Sequence, residues 1–140
     1  MQSKLNPYIT FNGKTRQAME FYKSVFGGKL DMSTFKEGGA PTTPETENDI
    51  MHAMLVADNG ITLMASDAND MGGFEYKKGT DISISLSGDN EEELTGYYNK
   101  LSEGGNIVEP LKKASWGDTF GMFIDKYGIF WLVNITGNKA

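Results

Sequence analysis

His52 is the one histidine of the chain, and it is the side chain that can exchange a proton near neutral pH without help from its surroundings. Set on a strand, it is a candidate general base. The alternative is an imidazole held in a core or pocket by one hydrogen bond. Without a second ligand it is a poor metal site. Trp116-Gly117-Asp118 is the next group of interest. Trp116 could wall a pocket or pack in a core, and Asp118 could orient a ligand or, the favoured reading, cap a turn. Asp67, closing Ala65-Ser66-Asp67, reads as a turn residue rather than a base. Met54, Met64 and Met122 fall on strands, as adaptable pocket walls or as core filler. Glu91 to Glu93 reads as a solvated helix start. The chain has no cysteine, which excludes a disulfide, a thiolate ligand and a thiol nucleophile. No spacing argues for a Ser-His-Asp triad, a carboxylate pair or a phosphate loop.

These residues must be positioned by a duplicated unit, the main organising feature of the chain. His52 to Met64 matches Phe120 to Leu132 at an offset of 68, which lays Met54 on Met122, Gly60 on Gly128 and Ile61 on Ile129. Tyr8 to Gly13 matches Ser83 to Gly88 at an offset of 75. Ala18, Phe21, Tyr22 and Val25 match Leu94, Tyr97, Tyr98 and Leu101 at an offset of 76.

Periodicity supplies the elements. Pro7 to Asn12 alternates as a half-buried strand, and Thr15 to Phe26 carries apolar residues at helical spacing until Gly27-Gly28 stops it. Leu30 to Phe35 is a second strand, and Lys36 to Asp49 is a mobile loop rich in glycine, proline and acid. Ile50 to Ala57 and Ile61 to Ser66 form a hairpin about Asn59-Gly60. A loop from Asp67 to Gly79 leads to the second half. There a strand, Asp81 to Ser87, precedes a helix capped by Asn90 with Glu93 at the capping-box position. Gly104-Gly105 ends that helix. A strand, Asn106 to Leu111, and a hairpin of Thr119 to Asp125 with Gly128 to Asn134 follow. Each half is therefore β-α-β-β-β. Ile9, Phe11, Ile82, Ile84 and Leu86 should pack beneath the helices. Tyr8, Thr10, Ser83, Ser85, Thr62, Met64, Ser66, Phe130, Leu132 and Asn134 should share the opposite side, which either lines a cleft or is a solvent-facing or dimer-buried surface.

The chain of 140 residues suits one domain. Its net charge of −6 argues against nucleic acid or an anionic membrane. No apolar run approaches the ~20 residues of a membrane span. The start, Met1 to Pro7, lacks the apolar core of a secretory signal. The expectation is a soluble cytoplasmic protein.

Five segments in order carry a resemblance: Asn6 to Gly13, Glu20 to Gly28, Met51 to Leu55, Leu63 to Asp67, and Trp116 to Asp118 followed by Gly121. With the doubled β-α-β-β-β unit, they resemble the glyoxalase/bleomycin-resistance/dioxygenase (vicinal oxygen chelate) superfamily. Within it the chain is similar to the PhnB-like branch, also called 3-demethylubiquinone methyltransferase-like. The resemblance implies an α+β fold, with two modules (about 6–67 and 80–136) whose curled mixed sheets enclose a cleft. It also implies a homodimer, which would cover exposed strand edges. In metal-using members, ligands come from the first and last strand of each module. Those positions carry Pro7 or Tyr8, Met64, Ser83 and Leu132 here, a set without imidazole or carboxylate, so no metal is expected there. Methyl transfer lacks a glycine-rich cofactor loop. The resulting expectation is a binder of a small, partly apolar molecule. Its cleft residues are Tyr8, Thr10, His52, Met54, Met64, Ser66, Ser83, Ser85, Trp116, Phe120 and Leu132, and His52 is the one catalytic candidate. For His52 and Met54 both sides of the strand are apolar, so the facing stays open. Two other readings stay open: a metal-dependent lyase or dioxygenase with ligands elsewhere, and an interaction protein with a filled cleft.

Overall fold

Alternating residues make β1 (Tyr8–Phe11), and the helical spacing that follows makes α1 (Thr15–Phe26). The chain continues through β2 (Lys29–Thr34), β3 (Ile50–Val56) and β4 (Thr62–Asp67). The second pass is β5 (Ile84–Gly88), α2 (Glu91–Ser102), β6 (Asn106–Lys113), β7 (Thr119–Ile124) and β8 (Phe130–Ile135). This computed structural model describes residues 3–40, 42–68 and 76–137. The chain divides into two units, residues 1–78 and 79–140. Each holds a four-stranded mixed sheet with one helix, ordered β1-β4-β3-β2 in the first and β5-β8-β7-β6 in the second. The fold is α+β.

In the first unit Phe11, Ala53, Leu55, Leu63 and Ala65 face Ala18, Met19 and Tyr22 of α1, all nearly or fully buried. Alternation leaves Thr62, Met64 and Ser66 half-buried on the other face. In the second unit Trp131, Phe123 and Val133 are fully buried with Leu101 of α2. Tyr98 lies edge-on to Phe123, with ring centroids 5.1 Å apart. Among the described residues no buried side-chain nitrogen or oxygen lacks a partner.

The hairpins repeat in their backbone closure. Ala57 N–H donates to Ile61 O and Asp125 N–H to Ile129 O, both at 2.8 Å. The first strands repeat differently from the expectation. Tyr8 pairs with Met64, and Ser85, not Ser83, pairs with Leu132, so the ladders relate the first strands at an offset of 77 rather than 75. The shift is by two residues, so the facing survives. Ser83 itself lies outside β5, and Ile82, expected beneath the helix, is 79% exposed. The chain joins the sheet only at Ile84, where pairing with Trp131 begins.

Asp67 is a second correction. It is the last residue of β4, not a turn residue, and it is buried. Its carboxylate accepts Thr15 N–H at 3.0 Å, Thr15 Oγ1–H at 2.7 Å and Ile50 N–H at 2.8 Å. Helix α1 has no capping side chain at Lys14 and no acid in its first turn. Asp67 supplies both functions from 52 residues downstream, and it anchors the start of β3 as well. Burial, and then the charge of Asp67, pushes the neighbouring Asp49 carboxyl up from its ordinary value. Helix α2 is capped locally, as expected: Asn90 Oδ1 accepts Glu93 N–H at 3.1 Å.

Residues 36–49, expected as a loop, contain hydrogen-bonded turns. Phe35 N–H donates to Asp49 O, and Lys36 N–H to Glu47 O. The Asp67-to-Gly79 loop lies partly outside the described residues.

Candidate functional site

The first unit presents one face away from α1. Cross-strand pairing sets Tyr8 beside Met64 and Met64 beside Met54, with Thr10 beside Ser66. His52 lies on the same face, two residues from Met54, because Ala53 between them is turned into the core. The open question of facing for His52 and Met54 is thereby answered. Tyr8 Oη and His52 Nδ1 stand 3.5 Å apart, at the limit of hydrogen bonding, with ring centroids 6.0 Å apart. Tyr8 is half exposed.

The second unit carries a pocket of about 410 Å³ on the face of β6 and β7 opposite α2. Phe120, Met122 and Ala114 supply its apolar surface, Trp116 walls it, and Glu109 and Lys112 complete the lining. Trp116 meets Phe120 edge to face, with centroids 5.6 Å apart. Leu132 pairs with Met122 on the neighbouring strand and Ser85 with Leu132 beyond it, so both share this sheet face. Ser83, outside β5, is not part of that ladder.

The Trp116 wall rests on Asp118. Ala114 N–H donates to Asp118 O at 2.7 Å, which closes the turn. The carboxylate accepts Asn134 Nδ2–H at 3.0 Å and Gly137 N–H at 2.9 Å. The turn is thereby tied to the end of β8, next to which Gly137 leaves space for the Gly117 carbonyl. Asp118 thus caps a turn, the reading favoured from sequence, and through it holds Trp116 over Phe120.

Glu109 and Lys112 were missed in the sequence, for a geometric reason. Residues three apart on a regular strand point to opposite faces. Strand β6 is irregular. Glu109 pairs with Met122 and Lys112 with Phe120, so β6 advances three residues while β7 advances two. A second irregularity lies between Ile107 and Glu109. Such bulges re-aim side chains. Pro110, which has no N–H to donate, was the available signal. Tyr98 holds the bulged strand, donating its hydroxyl to Glu109 O at 2.8 Å, with its ring over Gly121, where an added Cβ would lie 2.6 Å from Cε2. Burial pushes the Tyr98 phenol up from its ordinary value, and the Glu109 charge adds to it. Among the described residues, neither Glu109 nor Lys112 forms an ion pair, and no three His, Asp or Glu side chains converge as a metal site.

Residues 3–134 match the family described as 3-demethylubiquinone-9 3-methyltransferase. The chain belongs to this family. Two solved structures are similar over nearly the whole chain, and the second of them is named PhnB. Protein PA1353 from Pseudomonas aeruginosa is 35% identical, with a TM-score of 0.81 over 98% of this chain and 100% of that one. A Bacillus cereus protein, named as PhnB and as a putative 3-demethylubiquinone-9 3-methyltransferase, is 27% identical, with a TM-score of 0.74 over 96% and 100%. The fold extends further. A glyoxylase/bleomycin resistance protein/dioxygenase domain from Frankia sp. EAN1pec shares it at 15% identity, with a TM-score of 0.66 over 100% of this chain and 96% of that one. The PhnB-like chain thus has the fold of the glyoxalase/bleomycin-resistance/dioxygenase superfamily.

Proposed function

We propose that this PhnB-like protein binds a small, partly apolar molecule in the pocket of its second unit and does so without the superfamily's usual divalent metal. The observation that carries the reading is the pocket: about 410 Å³, apolar at Phe120, Met122 and Ala114, walled by Trp116, with two charged residues in its lining. A few polar groups around an apolar concavity is the usual make-up of a small-molecule site. The donor set supports the metal-free part. On the face away from each helix, the directly paired residues of first and last strand are Tyr8 with Met64 and Ser85 with Leu132. A phenol, a thioether, a hydroxyl and an alkyl group do not suit a hard or borderline divalent ion.

The two tryptophans provide the test. Trp116 is 56% exposed at the pocket, while Trp131 is fully buried and donates Nε1–H to Asp125 at 2.8 Å. A ligand in the pocket should quench Trp116 emission, and Trp116→Phe should abolish the response while leaving the Trp131 signal. If no aromatic or dicarbonyl compound alters the emission or raises the melting point, the binding reading falls and an interaction protein replaces it. Zinc, nickel, manganese or iron bound stoichiometrically through His52, in protein purified without chelator, would overturn the metal-free part.

A further inference from the structure

The two charges of the pocket are arranged, and their arrangement specifies a ligand. Without the bulge in β6, Glu109 and Lys112 would lie on opposite faces of the sheet. With it, both line the pocket. Each stands opposite a different residue of β7, Glu109 at Met122 and Lys112 at Phe120. Residues two apart on a strand are separated by about 7 Å. The pocket therefore carries a carboxylate toward its Met122 end and an ammonium toward its Phe120 and Trp116 end. Between them lies apolar surface suited to a ring.

A simple anion would gain from Lys112 and be repelled by Glu109, and a simple cation the reverse. A molecule with both charges gains at both ends. Resting on the proposal that this pocket binds a small molecule, we propose that its ligand class is a ring-bearing zwitterion. Its cationic nitrogen meets Glu109, its anionic group meets Lys112, and its ring packs against Trp116 and Phe120. The two side chains start opposite backbone positions about 7 Å apart, a spacing that charges set across a ring can match better than charges on one carbon.

The probe is 4-(aminomethyl)benzoate, compared by Trp116 quenching with benzoate, benzylamine and the neutral 4-methylbenzamide, all at low salt. The zwitterion should bind more tightly than each singly charged compound, by up to about fivefold, the upper end of the scale of one exposed ion pair. Glu109→Gln should erase its advantage over benzoate, and Lys112→Met its advantage over benzylamine. Neither change touches the Tyr98 bond, which is made to the Glu109 backbone oxygen. Equal binding of all four compounds would overturn the charge inference while leaving the pocket proposal standing. Tighter binding of benzoate or benzylamine than of the zwitterion would also overturn it. No quenching by any of the four would overturn the zwitterion class, and the pocket proposal falls with it when the wider aromatic and dicarbonyl screen also leaves emission and melting point unchanged.

Discussion

The residue on which the first unit depends most is Asp67. One carboxylate satisfies two N–H groups and a hydroxyl that belong to α1 and β3. Asp67→Ala leaves these donors buried and unpaired and should cost about 3 kcal/mol, read as a drop in the urea midpoint. Asp67→Asn keeps one acceptor oxygen and should cost less. Asp49 behaves in the opposite sense. Its carboxyl is raised by burial and by the Asp67 charge, so the ionised form is the disfavoured one in the folded protein. The penalty is full above the folded pKa and is relieved as the pH falls through it toward the unfolded value. Asp49→Asn should therefore be the more stable protein at pH 7, by about 0.5 kcal/mol as is usual away from the core, and the gap should close in acid. A gap that widens between pH 7 and pH 4 would contradict this. Reading Asp67 as a turn residue was reasonable from Ala-Ser-Asp alone. Its partner Thr15 lies 52 residues away, and nothing local reveals that contact.

At the scale of elements, the duplication repeats even its tightest packing. Gly28, entering β2, and Gly105, entering β6, each lie against the end of the middle hairpin strand of their own unit. A Cβ on Gly28 would collide with the Val56 carbonyl oxygen, and one on Gly105 with that of Ile124. Gly28 also has a φ of +90°, which favours glycine. Gly28→Ala and Gly105→Ala should each cost more than about 2 kcal/mol, measurable by thermal or urea unfolding. Asp125 does for the second hairpin what Asn59 does only in part for the first, where Asn59 Oδ1 accepts Ile61 N–H at 3.2 Å. Its carboxylate accepts Tyr127 N–H, Ile129 N–H and Trp131 Nε1–H. Trp131→Phe removes one of these bonds and should cost about 1–3 kcal/mol, including the lost ring. The helix bounds were legible because Thr15 to Phe26 follows one apolar face. The start of β5 was not, because alternation continues through Ile82 although the pairing partner begins at Trp131.

For the whole molecule, the expectation of a homodimer becomes a proposal with a direct test. Strand β6 is an edge strand, with Ile107 and Val108 both more than two-fifths exposed, and such edges are normally covered or blunted. Sedimentation should give twice the chain mass of 15.4 kDa, and a monomer at micromolar concentration would refute it. Among the described residues no helix is long and apolar enough to cross a membrane. The sequence by itself determined the doubled β-α-β-β-β order, both helices and the family, because these rest on periodicity and local chemistry that neighbouring residues carry. It also determined the facing of Met64 and Leu132, since alternation is a local property. Only the tertiary structure decided the register of the first strands, the role of Asp67, and the convergence of Glu109 and Lys112 beside Trp116. Each of these depends on which distant backbone a strand pairs with, and a single bulge reverses what alternation alone would say.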